Sequence, residues 1–372
     1  NMLITPEAAL KFTKTSVYLV CSWPLSVAAS KRDQILMKIR WWIVLIFLLF
    51  LLLPLLNGIY SYHHDTLIMV KAICMSSACG QAILKIITCR KQTSRFQILL
   101  QEIEDFMKNA NLREKEYLKK YINRAAFFHI FVTISIWLVC FDFIIEPIIL
   151  GQKFPTDVAY PFSIDNQYLH ISLYLHQVIS LFFIAAALSI DFQVAILLWF
   201  TALKLETLGY YFENVSNEKE LRYCIRKHQH MLWYANQVKN AVKYVALSTV
   251  LTTTIGIVCG CLTLISHQPL SVKLRVGNIV INAAVELFIY AWPANNLIQM
   301  SQIISSNVYH CNWYGKSTKM MKTVSYVIQR SQKPITIYIS GFIPDISLQY
   351  YTSFLSTTFS YFTTMRILLS KE

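Results

Sequence analysis

The run "WWIVLIFLLFLLLPLLNGIY" at 41–60 carries no charged side chain. A bilayer core is roughly 30 Å thick, and a helix rising 1.5 Å per residue crosses it in about 20 apolar residues. Six further stretches approach that length, at 67–88, 125–149, 168–201, 242–266, 277–299 and 342–369. The stretch at 67–88 is the most interrupted, by Lys71, Gln81 and Lys85. A segment in hydrocarbon must satisfy its own backbone, so these are predicted helices; no ten-residue alternation suggests a barrel. With 55% hydrophobic and only 15% charged residues, the expected fold is an all-α membrane protein of seven transmembrane helices forming a single domain over residues 1–372.

The net charge of +14 raises nucleic acid as a partner, and its distribution argues against it. Alternate segments between the predicted spans hold 26 Lys and Arg against 4 in the others, the remaining four lying inside the spans. Lys and Arg concentrate on the cytoplasmic face. Seven spans then put the N-terminus inside and the C-terminus outside, the reverse of a G-protein-coupled receptor. The charge serves topology and attraction to anionic lipid, and no nucleic-acid partner is expected.

Residues 1–40 are polar and basic without an apolar h-region, so no cleavable signal peptide is expected within them. None of the nine cysteines falls in a predicted outer loop, which predicts reduced thiols. The sequon Asn214-Val215-Ser216 lies on the predicted cytoplasmic side and should be silent.

From Tyr168 to about Ser216 no Pro interrupts the pattern, which would make a helix of about 70 Å, twice what a membrane requires. Its lower part stays half apolar and must pack on something. A cytoplasmic anchor bundle built from about 202–241 and 300–341 is the expectation, with Asp191 near the inner interface.

Motifs for catalysis are weak. "YGKST" at 314–318 resembles the end of a phosphate loop, but His310 stands where that loop needs Gly. His228 and His230 point about 200° apart on a helix and cannot share a metal. No enzyme, metal or cofactor is expected.

Polar residues inside spans carry more information, because they are costly in lipid and face protein or water. Asn278, Asn282 and Glu286 share one face of the sixth span; Asp142 and Glu146 share one face of the third. In the seventh, Ser353, Thr357, Ser360 and Thr364 follow a +4, +3, +4 rhythm, which Gln349 and Leu368 extend. Such a stripe fits the wall of a hydrated pore, and it fits tight helix packing equally. Gly256-x-x-x-Gly260 reads as a packing motif, and Arg366 as a side chain reaching for headgroups.

Several segments in order resemble the insect odorant receptors: "YPFSIDNQYLHISLYLHQV", "CIRKHQHMLWYANQVKNA", "SNVYHCNWYG", "QRSQKPITIYISG" and the terminal "FSYFTTMRILL". The resemblance implies an odorant-gated, non-selective cation channel at the plasma membrane of sensory neurons, assembled as a tetramer with the shared odorant co-receptor. It implies a central pore lined by the seventh helices, here through Ser353, Thr357, Ser360, Thr364 and Leu368. Thr364 stands where the family's co-receptor has an aliphatic side chain, which questions an equal share in a hydrophobic gate. The connection between the fourth and fifth helices is short for a co-receptor, so the chain looks like an odour-tuning subunit.

The family's ligand site is among the second to sixth helices, in their outer halves. There the chain offers Ile68, Met69, Ala72, Ile73 and Ser76; then Trp137, Cys140, Phe141 and Ile144; then Leu173, Tyr174 and Gln177. Each is also an ordinary packing residue. A small volatile ligand, aromatic or heterocyclic, would gain affinity mainly from apolar burial. The rivals are a homomeric gustatory-type channel, whose terminal TYhhhhhQF pattern is not matched, a G-protein-coupled receptor, which lacks its NPxxY, and a transporter, which lacks its repeats.

Overall fold

The computed structural model describes residues 5–26, 28–339 and 341–369, and within those helices the side chains of Glu146, Leu150, Ser271, Leu368 and Leu369 lie outside the described residues. Among the described residues eleven helices follow in order: α1 (Pro6–Ser16), α2 (Lys31–Ser61), α3 (Thr66–Lys91), α4 (Thr93–Asn109), α5 (Leu112–Leu150), α6 (Gln167–Leu188), α7 (Ile190–Glu213), α8 (Glu218–Ile265), α9 (Leu270–Tyr309), α10 (Thr318–Ser331) and α11 (Leu348–Leu369). Among the described residues the only β pairing is an isolated bridge between Ile339 and Ile343.

Local chemistry sets the helix starts. Ser30, Asp65, Asn166, Asn217 and Ser317 each accept a backbone N–H of the first turn of the helix that follows. Asn111 and Glu114 form a reciprocal capping box at the start of α5. These oxygens satisfy donors that have no partner inside the helix.

Six helical stretches among the described residues are long and apolar enough to cross a membrane: Lys31–Ser61, Thr66–Lys91, Leu112–Ile149, Gln167–Glu213, Glu218–Ile265 and Val272–Tyr309. The chain is a multi-pass membrane protein. The seventh predicted span, α11, has 22 residues and so the length to cross, about 33 Å, but its Ser and Thr make it less apolar than the other six.

Three boundaries differ from expectation. The long fourth helix is interrupted at Ser189, whose hydroxyl bonds back to the Ala185 carbonyl, so α6 and α7 are two segments of one rod. The segments predicted at 219–241 and 242–266 are instead one helix, α8, of 48 residues or about 72 Å. The last helix begins at Leu348 rather than 342, because the described residues at 332–339 and 341–347 are not helical and the Ile346 N–H donates to the Ile337 carbonyl.

α7 lies at the centre. It is buried on nearly every side and packs most extensively on α9, then on α8. Helix α5 adds a smaller contact, while α2 and the other side of α5 present apolar faces outward, including Trp42, Leu53, Phe127 and Ile148. At the end carrying α1, α4 and α10, polar contacts take over: Lys204 pairs with Glu102, and the Tyr234 hydroxyl donates to the Leu99 carbonyl at 3.2 Å.

A capped cavity over a buried ion cluster

One turn into α3, the outer faces of α3, α5, α6, α8 and α9 diverge and leave a cavity of about 170 Å³. Its wall is mostly apolar, from Met75, Ile136, Val139, Leu181, Ile184 and Ile289. An apolar cavity of roughly 150 Å³ admits a molecule the size of benzene.

The loop at 151–166 covers it with Thr156 and Asp157. Gln177 of α6 fixes that loop: its Oε1 accepts the Thr156 N–H at 3.2 Å and the Thr156 hydroxyl at 3.0 Å, and its Nε2 donates to the Tyr160 hydroxyl at 3.2 Å. The loop also lies hard on α2, where Gly58 leaves room; an added Cβ would stand 2.9 Å from the Asp157 carbonyl oxygen. Burial pushes the Asp157 carboxyl above its ordinary pKa, and the Lys71 ammonium partly opposes that.

Two cationic groups edge the cavity. Lys71 donates to Gln268 at 3.2 Å, and the Arg275 guanidinium lies 4.5 Å from the centre of the Phe143 ring. At the opposite end is a cluster of ions. Lys85 Nζ stands 2.8 Å from Asp191 Oδ2 and 2.5 Å from Glu286 Oε1, with the Lys85 and Asp191 side chains fully enclosed. Gln81 Nε2 donates to the same Glu286 oxygen at 2.5 Å, and the Tyr290 hydroxyl donates to Asp191. Asp191 joins α7 to α3 and α9, directly after the break at Ser189.

The polar face predicted on α9 is thus shared out. Asn278 and Asn282 bond to Ser135 of α5 at 3.0 and 2.9 Å, and Glu286 belongs to the ion cluster. Asp142 is exposed, and its charge acts on Arg275. Both glycines of the motif line the cavity, but they differ in clearance: a Cβ on Gly260 would fall 2.3 Å from Val280 Cγ2, so that glycine permits the α8–α9 contact, whereas Gly256 has ordinary clearance.

Of the twelve ligand candidates, Cys140 lines this cavity. Ala72, Ser76 and Leu173 are buried in packing, and Ile68, Met69, Ile73 and Ile144 are half-buried. Trp137 and Phe141 pack on Phe182 at 5.8 and 6.1 Å between ring centres. Tyr174 donates to the Ile144 carbonyl at 2.8 Å, and Gln177 holds the covering loop. The lining face of α3 runs instead through Lys71, Cys74, Met75, Ala78 and Gln81, turned by about 100° from the candidates. Lys71, Gln81 and Lys85 lie within about 80° of one another round α3, so the sequence did carry a phase for the face that Lys71 and Gln81 give to the cavity. The α8 and α9 side of the cavity, from Thr252 to Ile289, had a signal only in the Asn278–Asn282–Glu286 repeat.

On α11, Ser353, Thr357, Ser360 and Thr364 are exposed on the face away from the bundle, as is Gln349; the Leu368 side chain lies outside the described residues. Thr357, Ser360 and Thr364 each bond back to the carbonyl four residues earlier, at 2.9, 3.1 and 3.0 Å. The opposite face docks through Phe354 and Thr358, both buried.

A bundle of membrane-crossing helices enclosing a covered cavity of small-molecule size defines a class of multi-pass membrane protein. Residues 65–359 match the family described as 7tm Odorant receptor, and the chain belongs to that family. It is 24% identical to Odorant receptor Or2 of Anopheles gambiae over 148 residues, 40% of this chain and 39% of that one. It is 26% identical to the Odorant receptor coreceptor of Aedes aegypti over 148 residues, 38% and 30% of the two chains. These alignments span well under half the length of the curated relatives. In fold, the chain superposes on the insect olfactory receptor OR5 from Machilis hrabei in complex with eugenol, with a TM-score of 0.79 at 14% identity over 97% of this chain and 98% of that one. A second structure of OR5 from Machilis hrabei gives a TM-score of 0.80 at 15% identity over 96% of this chain and 97% of that one.

Proposed function

We propose that this chain is an odour-tuning subunit of a ligand-gated, non-selective cation channel, with a small volatile molecule bound in the covered cavity. The observation that carries this reading is a stretch of about two turns of α9 with two duties. On one side Asn282, Ala283, Glu286 and Ile289 face the cavity. On the other, the Ala284 carbonyl accepts the Tyr351 hydroxyl at 3.2 Å, Leu287 packs on Phe354, and the Phe288 ring lies 5.5 Å from that of Tyr351. A ligand that repositions this stretch repositions α11. Gating follows if the ligand binds the open arrangement more tightly; equal affinity would shift nothing.

In this reading four α11 helices surround the pore, and the hydroxyl stripe at Ser353, Thr357, Ser360 and Thr364 faces it. Support comes from the exposure of the four hydroxyl residues, with Phe354 and Thr358 buried on the other side of the first half of the helix. The family's coreceptor members support assembly with such a partner, and the eugenol complex of OR5 supports a small aromatic ligand. The basic end bearing α1, α4 and α10 is cytoplasmic and forms the anchor, which leaves Glu372 outside the plasma membrane.

Recording from cells that express the chain with and without a co-receptor, across an odorant panel, tests the proposal. Odorant-evoked cation current only upon co-expression is expected. Current from this chain alone would replace it with a homomeric channel, and responses abolished by G-protein blockade would reject a channel altogether.

A further inference from the structure

The cavity has one end unlike the rest. Its wall is apolar, yet its floor brings two carboxylates, Asp191 and Glu286, against one ammonium, Lys85. Asp191 and Lys85 are fully enclosed, while the Glu286 side chain keeps 12% of its surface open beside the cavity. Gln81 and Lys85 both donate to Oε1 of Glu286, and Asp191 lies within hydrogen-bond reach of the same carboxyl; a carboxylate offers about four acceptor positions, so capacity remains on the side that faces the cavity. The floor is therefore richer in acceptors than in donors. The cationic groups at the other edge are already engaged, Lys71 by Gln268 and Arg275 by Phe143.

An acceptor of this kind discriminates sharply. A hydrogen bond to a charged group is stronger than one between neutral partners, and it is stronger still away from water. A ligand lacking a donor would strip water from Glu286 and return nothing. We propose that Glu286 selects ligands ending in one hydroxyl, small alcohols and phenols whose O–H donates to the carboxylate while the hydrocarbon remainder fills the apolar wall. The inference rests on the cavity being the ligand site, but not on the chain being a channel.

The test is therefore a binding measurement. The full chain, purified in lipid nanodiscs, is titrated with benzyl alcohol and separately with benzyl methyl ether, following the ligand-dependent rise in melting temperature. The alcohol is expected to bind at least about tenfold more tightly, as a hydrogen bond to a charged group implies. Glu286→Met leaves Lys85 paired with Asp191 and is expected to bring the two ligands within about threefold of each other. Should that variant not fold, Glu286→Gln, of the same shape without the charge, is expected to shrink the preference by about threefold. Equal binding of the two probes to the unmodified chain, binding of neither, or a preference unchanged in both variants overturns the inference. A hydroxyl preference without any odorant-evoked current would sink the channel reading alone.

Discussion

Lys85 of α3 and Asp191 of α7 meet 2.8 Å apart with no side-chain surface exposed on either, and Glu286 of α9 closes on the same ammonium. Three central helices are thus tied by one charge cluster. Removing one partner of a buried ion pair typically costs about 3–5 kcal/mol, because a charge is left enclosed without compensation. Lys85→Met is expected to cost that much in thermal unfolding and to reduce surface delivery. The triple variant Lys85→Met, Asp191→Asn, Glu286→Gln should recover most of the loss. If the triple variant is as unstable as the single one, the cluster is not what destabilises Lys85→Met.

The contact between α8 and α9 tests a second point. A side chain at Gly260 collides with Val280, so Gly260→Val should cost about 1–3 kcal/mol through overpacking, visible as a lower melting temperature. Gly256→Ala, whose Cβ would lie 3.8 Å from that of Ala283, should fold normally. Equal damage at both positions would contradict the packing described here.

Gln177 makes its bonds to the covering loop rather than to the cavity. Gln177→Ala leaves the Thr156 donors unpaired, a cost of about 1–3 kcal/mol borne locally. Hydrogen exchange at the Thr156 amide should accelerate while amides of α7 keep their protection. Unchanged exchange at Thr156 would separate the loop from Gln177.

Asp157 predicts a pH effect. Its carboxyl is held above the ordinary range by burial, so the folded protein binds this proton more tightly than the unfolded chain does. The stability from this group is complete below the unfolded pKa, near about pH 4, and is lost as pH rises through the raised folded value. The melting temperature of the unmodified chain should therefore fall across that window relative to Asp157→Asn. A difference that grows in the opposite direction would reverse the sign of the assigned shift.

Thr364 tests the face assigned to α11. It is exposed, and its hydroxyl is satisfied by the Ser360 carbonyl, so Thr364→Val should leave folding and surface delivery intact. In co-expressed channels it is expected to change conductance or gating. No electrical change at all would favour a stripe that only packs against neighbours.

Much of the architecture was legible in the linear order of residues because it depends on local quantities. Apolar length decides whether a segment can cross lipid, caps such as Asn111 and Asn217 decide where a helix starts, and the spacing of Asn278, Asn282 and Glu286 puts them on one face. Which partner each face meets is not local. Lys85 read as an interruption of a span, and Asp191 as a residue near the membrane's edge. Only the packing of α3, α7 and α9 makes them one cluster, across sequence separations of 106 and 201 residues. Lys71, Gln81 and Lys85 marked one polar face of α3 in the sequence, but that this face borders a cavity, one step round from the expected residues, was decided by tertiary contacts. Electrostatic compensation and steric fit act between segments, whereas helix formation and hydrophobicity act within them.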